Sequence, residues 1–262
     1  MKTVLICHED DPLNRHGLAA WLASFSDLAG IVSIVEPRQR MTKRVKREIQ
    51  RIGYLRLLDV LAFRVYYRLR LAAKDHAWEQ AQLKTLGERY GAVPSTTKVL
   101  TTTSPNSGES ERLLHELAPD IVIARCKTLL AERIFIIPRI GTFVMHPGVC
   151  PEYRNAHGCF WALANNDRSR VGMTLLKIDK GVDTGPVYGY FTYPYDEVNE
   201  SHFVIQHRVV LDNLDAIRDR LLDIAAGRGQ RIDTTGRESR AWGQPWLTKY
   251  LGWKRRARCR AA

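Results

Sequence analysis

Proton transfer needs an imidazole or a carboxylate held in a fixed place, and this chain offers one pair suited to it. His146 is followed by Pro147-Gly148, so a strand that ends on the histidine must run into a rigid loop. Asp183 comes 37 residues later, between Gly181 and Gly185, where two glycines permit a tight turn. A histidine and an aspartate delivered by two strand ends can donate a proton, take one up, or hold an imidazolium in place. Between them runs Pro151-Glu152-Tyr153-Arg154-Asn155, with His157 opening a helix behind that loop. A His-Pro-Gly triplet alone is a common turn. The chemical reading rests on the order and spacing of all three stretches together.

At these residues the chain resembles the folate-dependent formyltransferases. That family carries an Asn-x-His-Pro-Ser/Gly stretch, a Pro-x-Tyr-Arg-Gly loop and a Gly-Val-Asp-Thr-Gly-Pro turn. Here His146, Pro147, Tyr153, Arg154, Asp183, Thr184 and Gly185 match, within a similarity that spans residues 100–215. The resemblance implies a Rossmann-like formyltransferase core that moves a formyl group from 10-formyltetrahydrofolate to a primary amine. It implies catalytic roles for His146 and Asp183. It places the folate along Arg125, Cys126 and Lys127 and along the turn of Gly181, Val182 and Thr184, and it places substrate beside Tyr153 and Arg154.

Two positions depart from the family. Its catalytic Asn stands two residues before the His, where this chain has Val144, and the Gly of its Tyr-Arg-Gly loop is Asn155. Formyl transfer to an amine passes through a tetrahedral oxyanion, and Val144 has no hydrogen to give it. Loss of one preorganised donor typically costs ~10²–10³ in rate. Asn155, Arg154, Arg125 and Lys127 lie in loops that can supply a replacement, and Asn155 is taken as the third catalytic candidate. Two other readings stay open: a formyltransferase fold that binds without transferring, and hydrolysis of formyl-folate with water in place of the amine.

No second chemical centre stands out. His8 is followed by Glu9, Asp10 and Asp11, but neighbouring side chains at a strand exit do not converge on one ion, so no metal is expected. Five widely spaced cysteines without a C-x-x-C read as reduced thiols. No G-x-G-x-x-G is present, and the first strand leads into acidic residues rather than a phosphate loop.

The net charge of +12 is concentrated. Residues 38–74 carry twelve Arg/Lys against Glu48 and Asp59, residues 240–262 carry seven and no acid, and the rest is net acidic. In the first segment Leu57, Leu61, Val65 and Leu69 recur at helical spacing beside Arg64 and Arg68, an apolar stripe next to a cationic one. In the second, Trp242, Trp246, Tyr250 and Trp253 precede Lys254-Arg255-Arg256. Such chemistry suits, first, a helical insert packed on the domain with solvated arginines and a frayed tail, second, an anionic membrane surface, and third, nucleic acid. A cytoplasmic protein with peripheral membrane contact and a small-molecule, amino-sugar or lipid-linked amine acceptor is expected. Methionyl-tRNA formyltransferases carry a C-terminal barrel, and the chain after residue 226 is too short for one, which disfavours a tRNA acceptor. No run of 18 uncharged apolar residues occurs.

These residues need a scaffold. Apolar runs at 2–7, 29–35, 120–124 and 142–146 alternate with helical patterns, the one at 107–117 opened by a capping serine. Further strands are expected at 171–178 and 187–194 and one long helix at 199–226. The alternation implies an α/β fold with a doubly wound, mostly parallel sheet, a basic helical insertion and a short basic tail. Residues 1–226 are expected to form the catalytic domain, and 227–262 a basic, aromatic extension whose last twenty residues can be removed without loss of the fold.

Overall fold

The computed structural model describes residues 1–36 and 39–262, with side chains described for 1–36, 53, 54 and 56–262. The chain enters the sheet as β1 (Lys2–His8), buried from Thr3 onward. Asp11 accepts from the Asn14 amide at 3.1 Å and starts a wide helical turn, Leu13–Leu18, that runs into α1 (Ala19–Ala23). There follow β2 (Asp27–Ile34), α2 (Gln39–Arg70), α3 (Ala72–Tyr90), β3 (Lys98–Thr102), α4 (Gly108–Leu117), β4 (Ile121–Arg125), α5 (Glu132–Phe135) and β5 (Gly141–His146). The Ser107 hydroxyl accepts from the Ser110 amide and caps α4.

The second half contains β6 (Arg154–Asn155), α6 (Gly158–Ala164), β7 (Met173–Lys177), β8 (Val187–Phe191), α7 (His202–Leu211), α8 (Leu214–Ala225), β9 (Ala241–Trp242) and α9 (Leu247–Ala261). Seven strands form one sheet in the order β3-β2-β1-β4-β5-β7-β8. Pairing is parallel from β3 to β5 and antiparallel from β5 through β7 to β8. The chain reverses its direction of travel across the sheet between β1 and β4. His8, Arg125 and His146 therefore stand together at carboxyl ends, beside the switch point where ligands of such sheets gather.

The expected helix at 199–226 is two helices. The chain breaks at Asp212–Asn213, where the Asn213 amide donates to the carbonyls of Thr192 and Val209. An asparagine that bonds backbone offers the chain a local alternative to continued helix.

The insertion is helical, with a break inside α2 at Gly53, which sits at φ 78°. The basic residues 38–52 lie outside the described side chains. From Val60 on, α2 buries Val60 and Phe63. The apolar stripe expected to pack, Leu61, Val65 and Leu69, instead faces solvent, and Leu57 is half-buried. Helical spacing identifies the stripe but does not say which of two apolar faces meets the core.

The C-terminal segment also departs from expectation. Trp253 is fully buried, with Tyr250 and Ala257 beside it in the main core, and α9 packs on α2 and α6. Phe63 lies 5.0–6.0 Å from the rings of His202, Tyr250 and Phe160, so α2, α6, α7 and α9 share one aromatic cluster. The Trp253 indole donates to Glu197, and the Lys254 ammonium donates to the carbonyls of Glu197, Val198 and Glu200. Removal of residues 243–262 would expose this cluster, which corrects the expectation that the fold survives it. Among the described residues no helix is long and apolar enough to cross a membrane.

Candidate active site

β5 delivers His146 and the β7–β8 connection delivers Asp183. The His146 Nδ1 lies 3.5 Å from an Asp183 carboxylate oxygen, and the two side chains are 6% and 15% exposed. The other ring nitrogen, Nε2, lies 2.8 Å from the Tyr153 carbonyl. Burial disfavours the charged imidazole. The Asp183 carboxylate, helped by Cys150 and then by the Tyr153 carbonyl, outweighs burial and raises His146 to about 9. At neutral pH the pair is an imidazolium and a carboxylate. The Nδ1 edge sits at ion-pair distance rather than in a tight hydrogen bond, so that edge can turn a proton toward a substrate oxygen.

The Asp183 turn is held by a residue that the sequence did not single out. One Asp179 carboxylate oxygen accepts from the Gly181 amide at 2.9 Å and from the Thr184 hydroxyl at 2.7 Å. Asp183 itself adopts φ 50°. A β-carbon on Gly185 would meet the Lys177 carbonyl at 1.9 Å, so the backbone there passes closer than any side chain allows. The Asx turn at Asp179 was legible as a pattern, since an aspartate two residues before a glycine is a turn former.

The intervening loop acts mainly through its backbone. The Asn155 amide N–H donates to the Asp183 carboxylate at 2.8 Å, while the Asn155 side-chain nitrogen donates to the Trp242 carbonyl. One of the two carboxamide N–H groups proposed for the oxyanion is thus directed at Trp242. Tyr153 was expected beside substrate. Its ring is buried and stacks on Trp242 with centroids 5.7 Å apart, and its hydroxyl donates to Asp167 at 2.9 Å. The side chain is scaffold, and only the carbonyl faces His146. Arg154 donates to the Val182 carbonyl at 2.7 Å, which ties the loop to the Asp183 turn.

Sequence inspection missed what braces this loop. β6 pairs in parallel with β9, matching Arg154 to Ala241 and Asn155 to Trp242. Trp242 stacks on Trp161 at 4.7 Å, and the Trp161 indole donates to the Gly243 carbonyl. Two residues paired 87 positions away leave no periodicity to detect.

At the end of β4 the Arg125 side chain turns inward, donating to the Asn14 side chain at 2.9 Å and to the Met145 carbonyl. The Cys126 thiol, raised to about 11 by burial, donates to the Thr128 carbonyl. The Lys127 amide donates to the His8 ring at 3.0 Å, and the Lys127 side chain is exposed. Val144 lies on the same strand face as His146 and packs beside Cys150, Leu176 and Val187. The acids after His8 disperse: Glu9 binds Arg15 and Ser33, and Asp11 binds Asn14.

Two predictions arise from this geometry. A β-carbon on Gly148 would lie 2.5 Å from the Tyr153 carbonyl, 2.8 Å from the His146 Nε2 and 2.9 Å from the Gly158 Cα. Gly148→Ala is therefore expected to cost about 1–3 kcal/mol and to displace the imidazole. An unchanged urea midpoint for this variant would show that the loop is not packed as described.

The second concerns acid. Burial, with Lys127 nearby, lowers His157 to about 4, and burial takes His202 well below its ordinary value and lowers His8. A histidine depressed in the folded state stabilises above its unfolded value near 6.5 and loses that contribution as pH falls through the folded value. Stability should drop between pH 6.5 and 4, by about 3 kcal/mol from His157 alone. Urea titrations at several pH values read this directly, and a flat profile would contradict the burial of these rings.

Residues 70–210, just over half of the chain, match the family model described as formyl transferase. The methionyl-tRNA formyltransferase of Kosmotoga olearia is 36% identical over 106 residues, 40% of this chain and 32% of that protein. That of Synechocystis is 31% identical over 151 residues, 52% of this chain and 41% of that protein. The chain thus matches between about one-third and two-fifths of the length of these curated relatives. A sugar N-formyltransferase from a Shewanella species superposes with a TM-score of 0.55 at 14% identity, covering 98% of this chain and 88% of that one. Phosphoribosylglycinamide formyltransferase from Anaplasma phagocytophilum gives 0.54 at 13%, covering 92% and 99%. These two show the shared α/β, Rossmann-like fold. The matched region holds β3 to β5, the His146 loop, the Asp183 turn and α7, and by that match the chain belongs to the formyl transferase family.

Proposed function

We propose that the protein transfers a formyl group from 10-formyltetrahydrofolate to a primary amine, with His146 and Asp183 as the catalytic pair. The observation that carries this is the 3.5 Å approach of the two side chains at the carboxyl end of the sheet. The residues present suit a folate: the backbone leaves β4 at Cys126 and Lys127, at the same sheet end that delivers His146, and the turn that carries Asp183 meets that histidine. The buried Arg154 Nε has no hydrogen-bond partner, a donor available to a ligand at this turn.

His146, cationic at neutral pH, stabilises the oxyanion that forms when the amine attacks the formyl carbon. Asp183 holds that charge and would accept the proton relayed from the attacking nitrogen; when the bond from the formyl carbon to N10 breaks, that proton would pass to N10 and the donor would leave as tetrahydrofolate. Among the four replacements for the family's Asn, Arg125 is committed inward and the Asn155 carboxamide keeps one N–H after its bond to Trp242. Arg154 and Lys127 also remain, and Lys127 stands close enough to His8 and His157 to lower both. Residues 1–226 carry this chemistry in our reading, with 227–262 bracing the Tyr153–Asn155 loop. The acceptor we favour is an amino sugar or a membrane-associated amine. The relatives named for methionyl-tRNA make tRNA the competing acceptor.

The test is incubation with 10-formyltetrahydrofolate and a panel of amines, reading tetrahydrofolate release. Release that requires an amine supports transfer. Release without amine indicates the hydrolytic reading that Val144 keeps open. Folate binding with no release under any condition indicates a binding protein.

A further inference from the structure

The insertion carries a second apolar face that the core does not use. On α2 after Gly53, Val60 and Phe63 point into the core, and Tyr54, Leu58, Leu61, Val65 and Leu69 are 75%, 63%, 41%, 58% and 75% exposed. Those five recur at steps of four, three, four and four, so they form one stripe along the side of the helix opposite the buried residues. A helix apolar on both sides is ordinarily buried on both, and a contiguous exposed stripe marks an interaction surface.

Charge selects the partner. Arg64 and Arg68 flank the stripe and are exposed, and residues 38–52, which precede it in the chain, hold seven Arg/Lys against Glu48. At the far end, a cavity of about 820 Å³ is lined by Tyr66, Leu71 and Leu251, by the acids Asp75, Asp196 and Glu200, and by Arg255 and Arg258, whose side chains have no hydrogen-bond or ion-pair partner among the described residues. The stripe is thus apolar along its length, with Arg64 and Arg68 beside it and Arg255 and Arg258 past its C-terminal end. A second copy would set like charge against like charge. Within the stripe Tyr54 alone carries a ring on which a nucleic-acid base could stack, and the four aliphatic side chains Leu58, Leu61, Val65 and Leu69 offer none. A bilayer with anionic headgroups meets both requirements, because it accepts aliphatic side chains below the headgroups and pairs phosphates with arginines.

We propose that α2 docks the protein on anionic membranes, with the Tyr54–Leu69 stripe inserted at the interface and the flanking arginines on the lipid phosphates. The surface lies outside the catalytic site, and the proposal does not depend on the reaction assigned above.

The experiment is co-sedimentation of the full chain with vesicles of phosphatidylcholine alone and with about one-third phosphatidylglycerol. Binding is expected to the anionic vesicles only, weakening as salt rises. The combined variant Leu58→Ser, Val65→Ser, Leu69→Ser, all exposed positions, should keep the wild-type melting temperature and bind at least about tenfold more weakly. Arg64→Gln with Arg68→Gln should weaken binding by about fivefold per charge and flatten the salt dependence. No sedimentation with anionic vesicles would overturn the proposal, as would vesicle binding that the serine variant leaves unchanged. A dimer that the serine variant dissolves, in place of vesicle binding, would assign the stripe to a second copy and also overturn it.

Discussion

Asp183→Asn is expected to lower the rate of formyl transfer by about 10²–10⁴ while leaving folate affinity within a few-fold of wild type. The asparagine fills the same space, so the turn held by Asp179 should persist. What disappears is the negative charge 3.5 Å from Nδ1. Burial is then opposed only by Cys150 and the Tyr153 carbonyl, and the imidazole should fall from about 9 toward or below neutrality. The cationic fraction at neutral pH drops, and the oxyanion loses stabilisation. The same substitution has a thermodynamic signature. A histidine raised in the folded state stabilises fully below pH 6.5 and loses that contribution as pH climbs to about 9. Wild type should lose on the order of 1–3 kcal/mol across that window relative to Asp183→Asn. Lys254, depressed to about 8 by burial, works in the opposite sense at the alkaline end. It is common to both proteins, so the difference between them isolates His146. Titration of the imidazole resonances by NMR gives the ionisation directly, and identical His146 curves in the two proteins would refute the pairing.

The second large effect is structural. Trp253→Ala is expected to cost about 3–5 kcal/mol, the usual penalty for deleting a fully buried large aromatic. Truncation after residue 246 should leave no cooperative fold, because Tyr250, Trp253 and Lys254 anchor α2, α6 and the segment before α7 at once. Truncation after residue 239 would in addition remove β9 and leave the Tyr153–Asn155 loop without its brace. Circular dichroism melts and urea transitions distinguish these cases. A truncated chain that melts cooperatively near the wild-type temperature would show that α9 is an appendage.

Much of the scaffold was legible because its signals are local. The buried parallel strands read as unbroken apolar runs at Val4–Cys7 and Ile121–Ala124, and covered strands have no polar face to betray a period. His146 and Asp183 were legible because proline and glycine fix the chain around them. The remainder was set by contacts distant in sequence. The Tyr153 ring reads as a pocket residue until Trp242 and Asp167 are seen to hold it. Asn155 reads as an amide donor until the strand that takes one of its hydrogens arrives from residue 242. The tail reads as a basic extension since six of its last fourteen residues are Lys or Arg, yet its aromatic side packs into the core. Composition reports what a segment contains, and amphipathic segments conceal which side faces inward.

The account stands on a His146–Asp183 site that receives a folate, and isothermal titration of the purified chain with tetrahydrofolate addresses that most directly. Saturable heat at one site per chain is expected, accompanied by a raised melting temperature. Absence of both heat and stabilisation at millimolar ligand would contradict it.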